Sequence, residues 1–127
     1  MTPSQDPSVA FLEDLASRGH VPLLHSTSGT IRIDLEDRGN SIHWYIAIDK
    51  GNVTVSHRMA RADAVVRTDK KLFDGMAKGT VNVTAGLLRG VIAVDGDLGL
   101  VSSLARLFPG PPQSVDSYLE RQAEKAR

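Results

Sequence analysis

The sequence contains no cysteine, which excludes disulfide bonds, thiol nucleophiles and metal sites built from thiolates. It also has no excess of charge, because 15 lysines and arginines balance 15 aspartates and glutamates. Nucleic-acid-binding proteins usually present a strongly basic face, so this balance predicts no nucleic-acid partner. A length of 127 residues is typical of a single domain with one sizeable core.

Long apolar runs are missing as well. No segment approaches the roughly 20 apolar residues of a membrane-spanning helix. The polar stretch from Met1 to Pro7 has no apolar signal-peptide core, and the last four residues, 124–127, are not a peroxisomal address. These features predict a cytoplasmic protein without a transmembrane segment, although they leave transient contact with a membrane open.

The residues of catalytic and metal sites are too scattered to form a recognised motif. None of the histidines makes a pair at metal-binding spacing; they are His20, His25, His43 and His57. Asp95 and Asp97 lack the further oxygen ligands of a calcium loop. Acidic residues cluster on the outward-facing side of the first strand and in the turn that ends it, at Asp34, Glu36 and Asp37. They are interpreted as a solvated face. The sequence therefore predicts no metal, no cofactor and no catalytic group.

What the sequence does contain is a set of alternating strands. Apolar and polar residues alternate near 30–36, 42–49 and 53–59, with turns at 37–40 and 49–52 that are short and contain glycine and asparagine. Such turns predict antiparallel hairpins with one apolar face. On the second strand, the apolar face consists of Ile42, Trp44, Ile46 and Ile48. The side chains predicted to point away from it are His43, Tyr45 and Asp49.

Helical periodicity occupies much of the remaining chain. Asp6 and Pro7 are suited to begin a helix over 7–18, and further helices are predicted near 69–78, 82–89 and 97–108, the last capped by Asp97. Shorter strands are predicted at 63–67 and 91–95. The core thus covers about 6–108. Residues 109–127 are predicted to be a linker and a C-terminal helix capped by Ser114.

The order and spacing of these elements resemble the sterol carrier protein 2 (SCP2) sterol-binding domain family over about half of the chain. The residues that carry the resemblance are Ala62-Asp63, Asp69, Phe73, Gly79, Asn82, Gly90, Gly96-Asp97-Leu98-Gly99-Leu100 and Leu107-Phe108. The resemblance implies an α+β fold, in which a five-stranded, mainly antiparallel sheet has helices over one face. It also implies an apolar tunnel for a lipid between the two layers.

The resemblance implies non-catalytic binding or transfer of a sterol, fatty acid, acyl-CoA or phospholipid. The residues expected to contact such a ligand are Trp44, Ile46, Ile48, Phe73, Met76, Leu87, Leu88, Leu100, Leu104 and Phe108. The residues alone favour a solid core, because most apolar stripes are simply buried. A protein-interaction or dimerisation module with a filled core is therefore the alternative, and the sequence does not distinguish a monomer from a homodimer.

Overall fold

The computed structural model describes residues 6–109 and contains five strands and four α-helices within them. The strands are β1 (Ser28–Asp37), β2 (Asn40–Asp49), β3 (Asn52–Ser56), β4 (Ala64–Asp69) and β5 (Ala93–Gly96). The helices are α1 (Pro7–Arg18), α2 (Lys70–Lys78), α3 (Val83–Leu88) and α4 (Leu98–Ala105). A short 3-10 helix, Pro22–Leu24, lies in the connector from α1 to β1.

The predicted hairpins are confirmed, and their turns explain their register. Arg38 and Gly39 both have positive φ, at 53° and 84°, and Lys50 and Gly51 repeat this with 48° and 88°. Two consecutive positive φ angles are typical of the type I′ turn, whose twist matches that of an antiparallel pair. Asp37 accordingly pairs with Asn40, and β1, β2 and β3 form a meander.

The five strands form one sheet in the order β3-β2-β1-β4-β5. β4 lies parallel to β1, whereas all other neighbours are antiparallel. The chain therefore leaves β3 at one edge, passes over β2 and β1, and enters the sheet again beside β1. The sheet is mostly antiparallel, as the sequence predicts, and the central strand β1 has partners on both sides.

The inner face of the sheet carries the core. Ile31 and Ile33 are fully buried, and the register places Ile46 and Trp44 directly opposite them on β2. The predicted facing of β2 is confirmed, since Trp44, Ile46 and Ile48 are all buried. The helix α1 also belongs to this cover, packing against α2 and β3 through a face that includes Leu12 and Leu15.

The outer face of the sheet carries one buried aromatic residue, Tyr45. Tyr45 points away from the helices, as its position in the strand requires, yet it is only 9% exposed. Its hydroxyl donates a hydrogen bond to the carbonyl oxygen of Arg61, 3.3 Å away, and the Arg58 guanidinium lies 6.0 Å from its ring centre. The segment 57–61, which follows the end of β3 at Ser56, crosses the outer face and covers this tyrosine. It also explains why β3 ends before the predicted boundary at 59.

The remaining boundaries differ by a few residues. The last helix ends at Ala105 rather than at 108, and β5 begins at Ala93 rather than at 91. Asp6 and Asp97 accept hydrogen bonds from backbone amides at the starts of α1 and α4, which confirms both as caps. The predicted C-terminal helix, with its cap at Ser114, lies outside the described residues.

Candidate functional site

A small apolar cavity lies between the inner face of the sheet and the helices α2, α3 and α4. The sheet contributes Ile33 from β1 and Val66 from β4, which are paired in register. The helical side and its connections contribute Phe73, Met76, Val83, Leu87, Ile92, Val101, Leu104, Ala105 and Phe108. Every lining side chain is a hydrocarbon or thioether, so the cavity can attract only an apolar group.

Stacked aromatic rings close one side of this cavity. Phe108, just after α4, stacks on Phe11 of α1 with ring centres 4.3 Å apart and planes within 9°. Phe73 makes a T-shaped contact with the same ring, with ring centres 5.5 Å apart. Offset and T-shaped pairs add about 0.5–1.5 kcal/mol beyond the burial of their area. The rings therefore tie α1, α2 and the end of α4 together.

The structure brings half of the predicted ligand-contacting residues to this cavity, namely Phe73, Met76, Leu87, Leu104 and Phe108. Trp44, Ile46 and Ile48 are buried on the same face of the sheet, but on β2, one strand further from α3 and α4.

The two other predicted residues lie on the covering helices but do not line the cavity. Leu100 is buried, and its methyl groups lie close to Gly29 at the start of β1. Leu88 is 78% exposed and points to solvent.

Several lining residues were not among those predicted. Ile33 and Val66 lie on the apolar faces of their strands. Only the parallel pairing of β1 with β4 places them together under α4. Val83, Ile92 and Val101 are likewise apolar residues whose spacing alone does not separate cavity wall from ordinary core. The available signal was their alternation or helical spacing, and the missing information was which strands are neighbours.

The volume of the cavity is about 20 Å³. A single ordered water needs about 10–15 Å³ on this scale, whereas a cavity that admits benzene measures about 150 Å³. This cavity is therefore a small void, much smaller than the lipid tunnel that the resemblance implies. An acyl chain can enter this space only if α3 and α4 move away from β1 and β4.

The outer face of the sheet carries an ionic cluster around Asp34. Arg32 donates to both carboxylate oxygens of Asp34 at 3.1 Å, and Nδ1 of His43 lies 2.7 Å from one of them. Because a carboxylate only accepts, that histidine nitrogen carries the proton. Burial alone would raise the pKa of Asp34, but the hydrogen bonds from Arg32 and His43 outweigh it and hold the pKa below its usual value.

This cluster corrects the interpretation of Asp34 as part of a solvated face, since its side chain is only 15% exposed. The carboxylate orients Arg32, whose Nη1 donates to the carbonyl oxygen of Ala60 at 3.4 Å. The cluster therefore fastens the segment 57–61 to the sheet, and its charges have partners within the fold.

A second ionic cluster joins the beginnings of α1 and α2. Lys70 lies 2.8 Å from Asp6 and 3.0 Å from Asp74, and the hydroxyl of Ser8 donates to Asp74. Burial would raise the pKa of Asp74, but its hydrogen bonds with Ser8 and Lys70 outweigh this effect and lower it. These contacts position α1 over α2, and hence Phe11 over Phe108.

Residues 6–109 contain neither a metal-binding group nor a membrane-spanning helix. No group of three or more histidine, aspartate or glutamate side chains is placed to hold a metal ion. Within the same range, no helix combines the length and the apolar character needed to cross a bilayer.

Comparison with known families gives a match over most of the chain. Residues 11–109 match the model of the SCP-2 sterol transfer family, a range that includes every residue lining the cavity. A search of curated protein sequences finds no significant match.

Comparison with solved structures supports the same fold. Sterol carrier protein domain 2 of Helicoverpa armigera has a TM-score of 0.66 at 17% identity, covering 84% of this chain and 89% of its own. Palmitated SCP2L2 from Aedes aegypti has a TM-score of 0.60 at 17% identity, covering 83% of this chain and 94% of its own. The sec-alkyl sulfatase PisA1, in a double-mutant form, has a TM-score of 0.66 at 19% identity, and the match covers 89% of this chain but only 17% of the sulfatase. The same fold thus occurs both as a small protein and within a larger enzyme.

Proposed function

Because the chain belongs to the SCP-2 sterol transfer family, we propose that it binds an apolar lipid between the inner face of its sheet and the helices α3 and α4. The single observation that carries the proposal is the wholly apolar lining of the cavity at this position. The ligand class is a sterol, fatty acid, acyl-CoA or phospholipid, and the role is non-catalytic binding or transfer. The solved relative in palmitated form supports a fatty acyl chain as the first ligand to test.

The energetics favour such a ligand if the layers separate. Removing apolar surface from water contributes about 25 cal/mol per Å². The helices α3 and α4 contain only six and eight residues, and isolated helices below about 12 residues are marginal in water. Their stability therefore comes from apolar packing, and the hydrocarbon of a ligand can replace much of that packing.

The small volume of the cavity favours a second candidate function. At about 20 Å³, this cavity leaves little free space, as expected of a protein-interaction or dimerisation module that holds no ligand. The occurrence of the fold within a much larger sulfatase is compatible with such a role.

One experiment separates the two candidates. The purified protein is analysed by native mass spectrometry, before and after delipidation, and then titrated with a fluorescent fatty acid. Co-purified lipid and saturable binding at one site per chain support the carrier. A stable dimer that carries no lipid and does not bind the probe supports the interaction module and overturns the proposal.

A further inference from the structure

The turn between α3 and β5 separates the cavity from solvent by a single layer of chain. Leu87 and Ile92 line the cavity from the two sides of this turn. Their immediate neighbours Leu88 and Val91 point the other way and are 78% and 46% exposed. Two large apolar side chains thus face water directly outside the wall of the apolar site.

The fold holds this turn in place. The amides of Val91 and Ile92 both donate to the carbonyl oxygen of Gly86, at 3.1 and 3.4 Å. Thr68 of β4 donates its hydroxyl to the carbonyl oxygen of Val91 at 3.1 Å. The exposure of Leu88 and Val91 is therefore a fixed feature of an anchored turn.

The charge of the surrounding segment has one sign. Between Asp74 and Asp95 the sequence contains no acidic residue, and its only charged residues are Lys78 and Arg89. Arg89 lies next to Leu88 and is exposed. Arg89 is the only charged residue of the turn 88–91. Apolar side chains beside basic ones are the combination that binds an anionic lipid surface.

We propose that the turn 88–91 docks the protein onto an anionic membrane surface and is the place where lipid passes between the bilayer and the site. This inference rests on the proposed function and adds the partner and the location of the exchange. Insertion of Leu88 and Val91 into the headgroup region would bring Leu87 and Ile92, and with them the cavity, next to the bilayer. A lipid then leaves the membrane without its hydrocarbon crossing water.

Three variants test the proposal. Leu88→Asp places a charge in the docking surface, and Arg89→Glu reverses its charge. Leu23→Asp is the matched control, because Leu23 is 60% exposed but lies in the 3-10 helix near the β3 edge, at the opposite edge of the sheet from β5. All three sites are exposed, so the fold is expected to be retained, as circular dichroism and urea unfolding would check.

The first assay is co-sedimentation with vesicles of phosphatidylcholine, with and without phosphatidylglycerol. Leu88→Asp should weaken binding about tenfold, the factor that corresponds to one leucine side chain no longer buried. Arg89→Glu should weaken binding to the anionic vesicles by about fivefold or more and leave binding to the neutral ones unchanged. Leu23→Asp should behave as the parent protein.

The second assay separates docking from the site itself. Transfer of a fluorescent fatty acid from vesicles should slow in Leu88→Asp, whereas binding of the same probe from solution should stay at the parental value. If no variant binds the probe from solution, the proposed function fails, but the vesicle assay still decides docking. The inference is overturned if the parent binds neither kind of vesicle, or if Leu88→Asp co-sediments like the parent. It is also overturned if that variant converts a dimer into a monomer, since the patch would then be a contact between two copies.

Discussion

Replacing Leu104 with tryptophan places an indole in the space assigned to the lipid. Leu104 is 3% exposed and lines the cavity from α4. Filling the whole cavity of about 20 Å³ would raise the free energy of unfolding by at most about 0.5 kcal/mol, at roughly 24 cal/mol per Å³. The rest of the added ring must displace its neighbours, which costs about 1–3 kcal/mol. A lipid-sized tunnel would accept the indole at little cost, but a cavity of this small volume does not.

We expect Leu104→Trp to remain folded with a free energy of unfolding about 1–3 kcal/mol lower, measured by urea denaturation. We also expect its affinity for a fluorescent fatty acid to fall about tenfold or more, because the indole takes the place of hydrocarbon that the ligand would bury. Ser102→Trp is the control, since Ser102 is exposed on the same helix. A folded Leu104→Trp with the parental affinity would refute the assignment of the lipid to this space.

Two further outcomes concern the stability of the fold. The lowered pKa values of Asp34 and Asp74 imply that their stabilising effect is complete above about pH 4 and is lost as the pH falls through those values. Urea unfolding from pH 7 to pH 2 should therefore show a smaller loss in Asp34→Asn than in the parent, and equal losses would contradict the role given to Asp34. Gly39→Ala should cost about 1 kcal/mol for its positive φ alone. Gly96→Ala should cost about 1–3 kcal/mol more, because its Cβ would meet the carbonyl oxygen of Asp63; equal costs would show that this contact relaxes freely.

Local patterns predicted most of the fold. The alternation in β1 and β2 and the two-residue turns after Asp37 and Asp49 set the meander, because a shift of one residue would turn every apolar side chain to water. The burial of Tyr45 was not predictable in this way. It depends on the segment 57–61 crossing the outer face, and that crossing follows from the parallel pairing of β4 with β1.

In the candidate site, too, local patterns predicted some features and not others. Helical spacing identified Phe73, Met76 and Leu104 as apolar positions that face inward. Successive residues of a helix point about 100° apart, so Leu87 and Leu88 cannot both face the cavity, and spacing alone does not decide which one does. The structure turns Leu87 inward and Leu88 outward, which moves Leu88 from the predicted site to the proposed docking surface.

The most direct test of the central claim locates a bound fatty acid. Isotope-filtered nuclear Overhauser spectra of ¹³C-labelled protein with unlabelled palmitate would record which side chains lie next to the acyl chain. The account predicts contacts from the acyl methylenes to Val101, Leu104 and Phe108, together with shifts in α3 as the layers separate. Contacts confined to exposed side chains such as Leu23 and Leu88, with no change in the core, would contradict it.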